Sequence, residues 1–335
     1  MMVKISADLC FIKLITMKAV RINEFGGPEV MKIENIARPV PALDEVLVEV
    51  YASGVNPVDW VIRSGENESL RSFLKLPMTL GWDAAGIIIE TGSEVTSFKA
   101  GDHVYGVPNF PGDGSYAEYC VGKASQFALK PQSLDFTQAA GVPLAALTAW
   151  TGMFAYGNLQ PGQRILIQGA SGGVGGFAVQ FAKAKGAYVI GMASTDNLEY
   201  VKQLGADEVI DYRTQQFEDL LHNLDVVLEA SPTRNNSERV KAVNVLKQGG
   251  IFVSVNTDFP FNNELMEAAN AKKVNVALAA NQPRQEWLAE MAELIDAGKV
   301  KVLINKVFPL EQVADAHRAS ETWHVRGRLI LDIKK

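Results

Sequence analysis

The stretch Arg164-Ile-Leu-Ile-Gln-Gly-Ala-Ser-Gly-Gly-Val-Gly-Gly-Phe-Ala-Val-Gln-Phe-Ala-Lys183 restricts the fold more than any other part of this chain. An apolar run, Ile165 to Ile167, enters a glycine-rich turn. Beyond it Val174, Ala178, Phe181 and Ala182 recur at helical spacing until Gly186 ends the pattern. A strand, a turn without Cβ atoms and a helix N-terminus together make a site for an anionic phosphate. The backbone allows close approach at Gly169, Gly172 and Gly175, where first-turn N–H groups and the helix dipole face negative charge. A second strand, Tyr188 to Ala193, follows at βαβ distance. That context separates a dinucleotide fingerprint from glycines needed for packing alone.

The alternation continues from Phe136 onward. Leu198 to Leu204 reads as a short helix stopped by Gly205, and Glu208 to Tyr212 and Leu224 to Glu229 read as strands. Ser237 to Lys247 predicts a helix with Val240, Val243 and Leu246 on one face. Gly249-Gly250 turn the chain into Ile251 to Val255, and Val274 to Leu278 makes a sixth strand. Strands alternating with helices predict an α/β fold, a Rossmann-type doubly wound parallel sheet.

The flanking parts have another texture. From Ala19 to about Lys130 the chain reads as short strands between turns, including Glu45 to Val50 with one face exposed, Gly81 to Glu90, Gly101 to Gly106 and Gly114 to Val121. Such spacing predicts a compact, barrel-like β domain. After Pro283 a helix carries Trp287, Leu288, Met291, Leu294 and Ile295 on one face. Strands around Val300 to Leu303 and Arg328 to Ile333 then return to the β domain. The expected division is a disordered extension over 1–16, a catalytic β domain over 17–138, the dinucleotide domain over 139–283 and the returning tail over 284–335.

Composition closes off other classes. A net charge of -6, with basic residues dispersed, argues against a nucleic-acid partner. Two cysteines, Cys10 and Cys120, form no disulfide framework, so a reducing, cytoplasmic setting is expected. Four histidines at 103, 222, 317 and 324 show no zinc-type spacing, and no metal site is expected. His222 and His317 lie on polar ground that reads as helical, and both are expected at the solvated surface. The apolar stretch Ala139 to Tyr156 carries Pro143, Thr148 and Thr151 and lacks basic flanks, so it predicts a buried helix between domains rather than a membrane span.

Two places carry chemistry. The second strand ends in Met192-Ala-Ser-Thr195, with no carboxylate at the strand end, and Ser194 could bond a 2′-phosphate. Asp196 could instead hold a ribose hydroxyl or cap the helix that follows. Tyr212 and Arg213 offer an aromatic face and a positive charge at the adenosine end, so NADP(H) is favoured. In the β domain the outstanding stretch is Ala52-Ser-Gly-Val-Asn-Pro-Val-Asp-Trp-Val-Ile-Arg-Ser-Gly65. There Asn56 and Asp59 either serve the chemistry or satisfy local turn groups and cap the next helix.

Taken together, these residues resemble the zinc-free quinone oxidoreductase branch of the medium-chain dehydrogenase/reductase superfamily. The resemblance runs from Met17 to Lys335. It rests on Gly54 to Gly65, Gly81-Trp-Asp-Ala-Ala-Gly86, Phe98 to Gly106, Pro143 to Trp150, the glycine-rich turn, Leu204-Gly-Ala-Asp-Glu-Val-Ile-Asp-Tyr-Arg213 and His324-Val-Arg-Gly-Arg328. It implies a GroES-like β-barrel domain, NADPH on the Rossmann domain and a nicotinamide in the cleft between them. Asn56 stands where zinc-containing relatives have a cysteine, and Trp82-Asp83 where they have His-Glu. Thr148, Ser171, Gly172, Gly173, Val174, Ser194 and Tyr212 match cofactor contacts, and Asn256 and the Arg326 to Arg328 segment match parts that reach the nicotinamide end. Asn197 replaces a lysine that many relatives place against the 2′-phosphate. Homodimers are implied, with Val274 to Leu278 the candidate edge.

The expected activity is zinc-independent, NADPH-dependent transfer of hydride to a quinone or similar activated carbonyl, with Asn56 orienting the ring or the acceptor and Asp59 relaying a proton. The alternative, reduction of an enone or alkenal double bond, wants a tyrosine donor. None lies between Asn56 and Ser64, although Tyr105 and Tyr116 could reach the cleft. A non-catalytic NADPH-binding or redox-sensing partner is the reading from a different class.

Overall fold

The computed structural model describes residues 15–335. Its first strand, β1 (Thr16–Ile22), starts one residue before Met17, and residues 1–14 of the predicted extension lie outside the described part. The N-terminal half then runs through β2 (Met31–Ala37), β3 (Glu45–Val55), α1 (Pro57–Ser64), α2 (Glu68–Arg71), β4 (Met78–Thr79), β5 (Ala84–Thr91), β6 (His103–Gly106), β7 (Tyr119–Lys123) and β8 (Phe127–Leu129). β3 is flanked by β5 and β7, so Val46, Leu47, Val48 and Val50 are all buried. The face predicted to be exposed is not: Leu47 is buried there and Glu45 and Glu49 are half-buried. The Gly114 to Val121 stretch becomes regular strand only at Tyr119. Before that, backbone bonds from Ser115 and Tyr116 to Gly81 and Leu80 hold it in place.

The apolar stretch from Ala139 is buried but broken. It holds the end of α3 (Phe136–Ala140), then α4 (Pro143–Trp150), which runs into a π-helical turn over Thr151–Tyr156. Pro143 cannot donate to a continuing helix and so restarts one. Ala145, Ala146, Leu147 and Trp150 join a core shared by the β domain and one face of the next sheet.

That sheet is built from β9 (Arg164–Gln168), α5 (Gly173–Ala184), β10 (Tyr188–Ala193), α6 (Leu198–Gln203), β11 (Glu208–Asp211), α7 (Phe217–Leu220) and β12 (Leu224–Glu229). It is completed by α8 (Asn236–Asn244), β13 (Leu246–Ser254), α9 (Asn263–Lys272) and β14 (Asn275–Leu278). The strand order is β11-β10-β9-β12-β13-β14, all parallel, as the doubly wound reading predicts. Ile165 and Ile167 pack on one face and Leu166 on the other, which is why β9 reads as a continuous apolar run. Gly249-Gly250 do not end a turn. They lie inside β13, at the register shift where it leaves Leu224 and rejoins Val226.

The tail holds α10 (Gln285–Asp296), β15 (Ile304–Pro309), α11 (Val313–Glu321) and β16 (Arg328–Asp332). Residues 300–303 are not a strand; the pairing with β16 starts at Ile304. β16 runs antiparallel to β3 with Leu329 opposite Val55, so Arg328 arrives beside Asn56. Helix α11 agrees with the helical reading of the ground around His317. Its buried face is Val313, Ala316, His317 and Ser320, and His317 is fully buried rather than solvated. Among the described residues no helix is long and apolar enough to cross a membrane.

Candidate functional site

The carboxyl ends of β9, β10, β12 and β13 share one edge of the parallel sheet, and the glycine-rich turn leaves from its centre. Gly169 adopts φ +78°, the left-handed region that favours glycine, with Ala230 O 2.8 Å from where a Cβ would stand. A Cβ on Gly175 would meet Gly169 O at 2.1 Å. Gly172 is the extended N-cap of α5, and Ser171, Gly173 and Val174 are half-buried around it. This open backbone at the start of a twelve-residue helix fits a pyrophosphate. A cavity of about 250 Å³ lined by Gln163, Asp225 and Lys247 lies at the opposite, amino-terminal edge of the sheet.

At the end of β10, Ser194 Oγ accepts from Asn197 Nδ2 at 2.9 Å. Arg326 binds Asn197 Oδ1 at 2.9 Å and Asp196 O at 3.0 Å, its guanidinium 5.2 Å from the Tyr200 ring centre. Arg213 pairs with Asp196 at 3.4 Å, and Tyr212 is half-exposed. The structure therefore separates Arg326 from Arg328. Arg326 is held on Asp196 and Asn197 beyond β10, whereas Arg328 reaches the β-domain cluster while lying 3.1 Å from where a Cβ on Gly173 would stand, at the start of α5.

There the polar groups are buried and interlocked. Asn56 Nδ2 donates to Asp83 Oδ2 at 2.8 Å, and Arg328 donates to Asn56 Oδ1 at 2.8 Å and to Asp83 Oδ2 at 2.6 Å. Leu144 N donates to Asp83 Oδ1 at 2.6 Å, and Arg328 Nε donates to Gly141 O. Burial pushes the Asp83 carboxyl up, and Arg328 is the strongest pull back. With donors on both oxygens it remains the anionic partner of that guanidinium.

Asp59 is fully buried and Oδ2 accepts from Asn56 N at 2.7 Å and from the Tyr116 hydroxyl at 2.7 Å. So Asp59 caps α1, while the Asn56 amide faces Asp83 and Arg328. His317 lies behind. Arginine only donates, so Arg63 fixes His317 Nδ1 as an acceptor at 3.0 Å, and Nε2–H points at the Tyr116 hydroxyl at 3.3 Å. Tyr116 is thereby committed to Asp59, and Tyr105 donates to Leu288 O at 2.6 Å; both hydroxyls are buried away from the cleft.

Burial raises the Asp59 carboxyl from 3.8 to about 7, against the opposing Asn56 and Tyr116 bonds. Burial, then Arg63, lowers the His317 ring from 6.5 to about 3. A raised acid binds its proton more tightly folded than unfolded, so the Asp59 contribution falls as pH rises from 3.8 to about 7. His317, neutral when folded, contributes the opposite slope between about 3 and 6.5. Asp59→Asn mimics the neutral acid. Its stability relative to the wild type is expected to rise by about 1.4 kcal/mol per pH unit across the Asp59 window, read from urea midpoints. Parallel profiles for the two proteins would refute the assignment.

The remaining predicted residues sit in the walls. Thr148 Oγ1 donates to Leu144 O at 2.7 Å and accepts from Asn281 at 2.8 Å. Asn256 spends its amide hydrogens on Glu229 and Ser231 O. Glu229 forms a buried ion pair with Arg239 at 2.7 Å, whose guanidinium also lies over Phe259 and Phe261. Sequence reading missed Asp83 as a working group, Glu229, Arg239, Asn281 and His317. Asp83 and Glu229 did carry a signal, since each is a carboxylate set in or ending an apolar run.

A phosphate turn on a doubly wound sheet, facing a β domain that presents a buried amide, carboxylate and guanidinium, defines a dinucleotide-dependent oxidoreductase. Residues 42–132 match the family described as alcohol dehydrogenase GroES-like domain, and residues 204–331 match zinc-binding dehydrogenase. The mouse NAD(P)H oxidoreductase RTN4IP1, mitochondrial, is 34% identical, covering 95% of this chain and 89% of the relative. A pig quinone oxidoreductase is 35% identical over 93% of this chain and 95% of its own. An Arabidopsis thaliana NADPH-dependent alkenal/one oxidoreductase, chloroplastic, is 36% identical over 98% and 82%. The quinone oxidoreductase structure from Coxiella burnetii superposes with TM-score 0.86 at 32% identity, covering 96% of this chain and all of that one. The chain belongs to the quinone oxidoreductase branch of the medium-chain dehydrogenase/reductase superfamily, and it is an oxidoreductase with a nicotinamide cofactor.

The residues at the family's zinc positions do not fit zinc. Trp82 brings no lone-pair ligand, both Asp83 oxygens are taken, and the Arg328 cation stands 2.6 Å from that carboxylate.

Proposed function

We propose that this chain is an NADPH-dependent reductase that delivers hydride to a quinone or similarly activated carbonyl acceptor without a metal. The observation that carries this reading is the Arg328–Asp83–Asn56 cluster, in which a fixed guanidinium occupies the place of a Lewis acid. When bound, the nicotinamide supplies the hydride at its C4. The chain's task is placement and exclusion of water. Asn56, held from two sides, offers its remaining amide hydrogen to the ring or the acceptor oxygen, and the buried cluster behind it keeps its orientation fixed. Arg326 and Arg213 gather positive charge beside Ser194, which favours the 2′-phosphate of NADP(H) over NAD.

Asn56→Ala is expected to lower kcat/KM for the accepted quinone by more than about tenfold with little change in NADPH affinity. Unchanged turnover would remove Asn56 from the machinery. Reduction of an enone or alkenal double bond ranks second, because Tyr105 and Tyr116 are committed elsewhere. A redox-sensing role fits poorly. Cys120 is buried and its thiol is pushed up to about 12, far from a reactive thiolate. Tight NADPH binding without turnover on any quinone or enone would nevertheless favour a binding protein. A cytoplasmic setting and a homodimer joined along the free edge of β14 complete the proposal.

A further inference from the structure

The carboxyl ends of β12 and β13 hold a buried polar knot that the reading above leaves without a task. Glu229 ends β12 and Ser254 ends β13, directly opposite each other in the sheet. Glu229 and Arg239 are each 1% exposed. Arg239, from α8, meets both oxygens of the Glu229 carboxylate, at 3.1 Å from Nε and 2.7 Å from Nη2. Its Nη1 donates to Phe259 O at 2.8 Å, and the Phe259 and Phe261 ring centres stand 4.6 and 5.2 Å from the guanidinium. The Ser254 hydroxyl donates to Glu229 and accepts from Asn256 N at 3.1 Å. One ion pair therefore ties α8 to the loop that follows β13. Desolvating two charges offsets much of their attraction, so such a pair is a weak source of stability, whereas its directional bonds fix geometry.

The group it fixes is Asn256. Nδ2 donates to Glu229 at 3.2 Å and to Ser231 O at 2.9 Å. A carboxylate and a carbonyl only accept, so the amide has one orientation and Oδ1 is the atom left over. Asn256 is half-buried, and its Oδ1 accepts no hydrogen bond from the described residues. Ser231 lies against the glycine turn, its Cα 2.9 Å from where a Cβ on Gly169 would stand. Asn256 thus sits at the cofactor edge of the sheet, beside the turn that fits the pyrophosphate. An acceptor there needs a donor, which a pyrophosphate lacks. The next group along the cofactor is the nicotinamide ribose, whose hydroxyls donate. We propose that Glu229 and Arg239 are positioning residues that hold Asn256 Oδ1 as the acceptor for a hydroxyl of that ribose. The inference rests on the nicotinamide cofactor and is independent of which acceptor is reduced.

Fluorescence titration of the full chain with NADPH tests this without turnover. Asn256→Ala is expected to weaken binding about tenfold. Arg239→Lys keeps a cation but cannot span the carboxylate and Phe259 O together, and is expected to weaken binding about fivefold. Because Arg239 acts through Asn256, the double variant should bind within about twofold of Asn256→Ala alone. A residue that served stability alone would lower the unfolding temperature, and its effect on binding would multiply with that of Asn256→Ala. Multiplying effects, or wild-type binding by Asn256→Ala, overturn the proposal. If Arg239→Lys does not fold, Ser254→Ala removes one hydroxyl from the same knot and takes its place in the cycle, with the same expectation. The 3-acetylpyridine analogue of NADPH has no carboxamide N–H, and Asn256→Ala should weaken its binding as much as that of NADPH. A loss confined to NADPH would move the bond to the carboxamide and overturn the ribose assignment. If the wild type binds NADH instead, the preference for NADP(H) fails on its own. The cycle is then run with NADH, whose nicotinamide ribose is the same, and the same outcomes decide.

Discussion

Arg328→Met is expected to destabilise the fold by about 3–5 kcal/mol and to remove most turnover. The Arg328 side chain is 6% exposed and that of Asp83 is 0%. Deleting the guanidinium leaves a carboxylate in a dry interior with only the Asn56 amide and the Leu144 N–H to hold it. It also strips Gly141 O and Asn56 Oδ1 of a donor. The pair need not be stabilising against an apolar substitute, because desolvating two ions offsets much of their attraction. The double variant Asp83→Leu with Arg328→Met should therefore recover much of the lost stability while staying inactive. Urea unfolding of the two single variants and the double variant separates these terms. A single-variant loss below about 1 kcal/mol would mean that water reaches the pair and that the cluster does not fix Asn56.

The contrast between Arg328 and the glycine turn explains what sequence reading could reach. The β9–turn–α5 unit is local: its apolar run, its glycines and its helical spacing lie within twenty-odd residues, and the parallel sheet follows from repeating that unit. The Asn56 cluster is not local. Residues 56, 83, 141 and 328 meet only because β16 pairs with β3 and α4 begins against Asp83. Resemblance named Arg326 and Arg328 together, but on either side of Gly327 one guanidinium binds Asp196 and Asn197 and the other binds Asn56 and Asp83. His317 was misread for a similar reason. Asp315 and Arg318 around it are polar and pair with each other in solvent, yet Val313, Ala316, His317 and Ser320 recur at helical spacing and form the buried face. Periodicity held that information, and local polarity outweighed it.

Substitutions in the turn should divide its glycines into two kinds. Gly175→Ala is expected to disrupt the fold locally and to abolish NADPH binding, because the new methyl would stand 2.1 Å from Gly169 O and 2.7 Å from Gly169 C. Both are backbone atoms, and Gly169 is itself fixed by φ +78° with Ala230 O close behind it. Neither side can step aside, so the overpacking should cost about 1–3 kcal/mol or more, besides displacing the turn. Gly172 differs. Its backbone is ordinary, φ -78° and ψ 178°, and its Cβ would meet only Gly169 O at 3.4 Å. The fold has no need of a glycine there; a phosphate lying on the α5 N-terminus does, since the methyl would project into the open space over the first-turn N–H groups. Gly172→Ala should therefore unfold at the wild-type midpoint while binding NADPH more than about tenfold more weakly. Thermal unfolding alongside a fluorescence titration of NADPH reads both quantities. If Gly172→Ala binds like the wild type, the phosphates do not lie over Gly172, and the glycines of this turn serve packing alone.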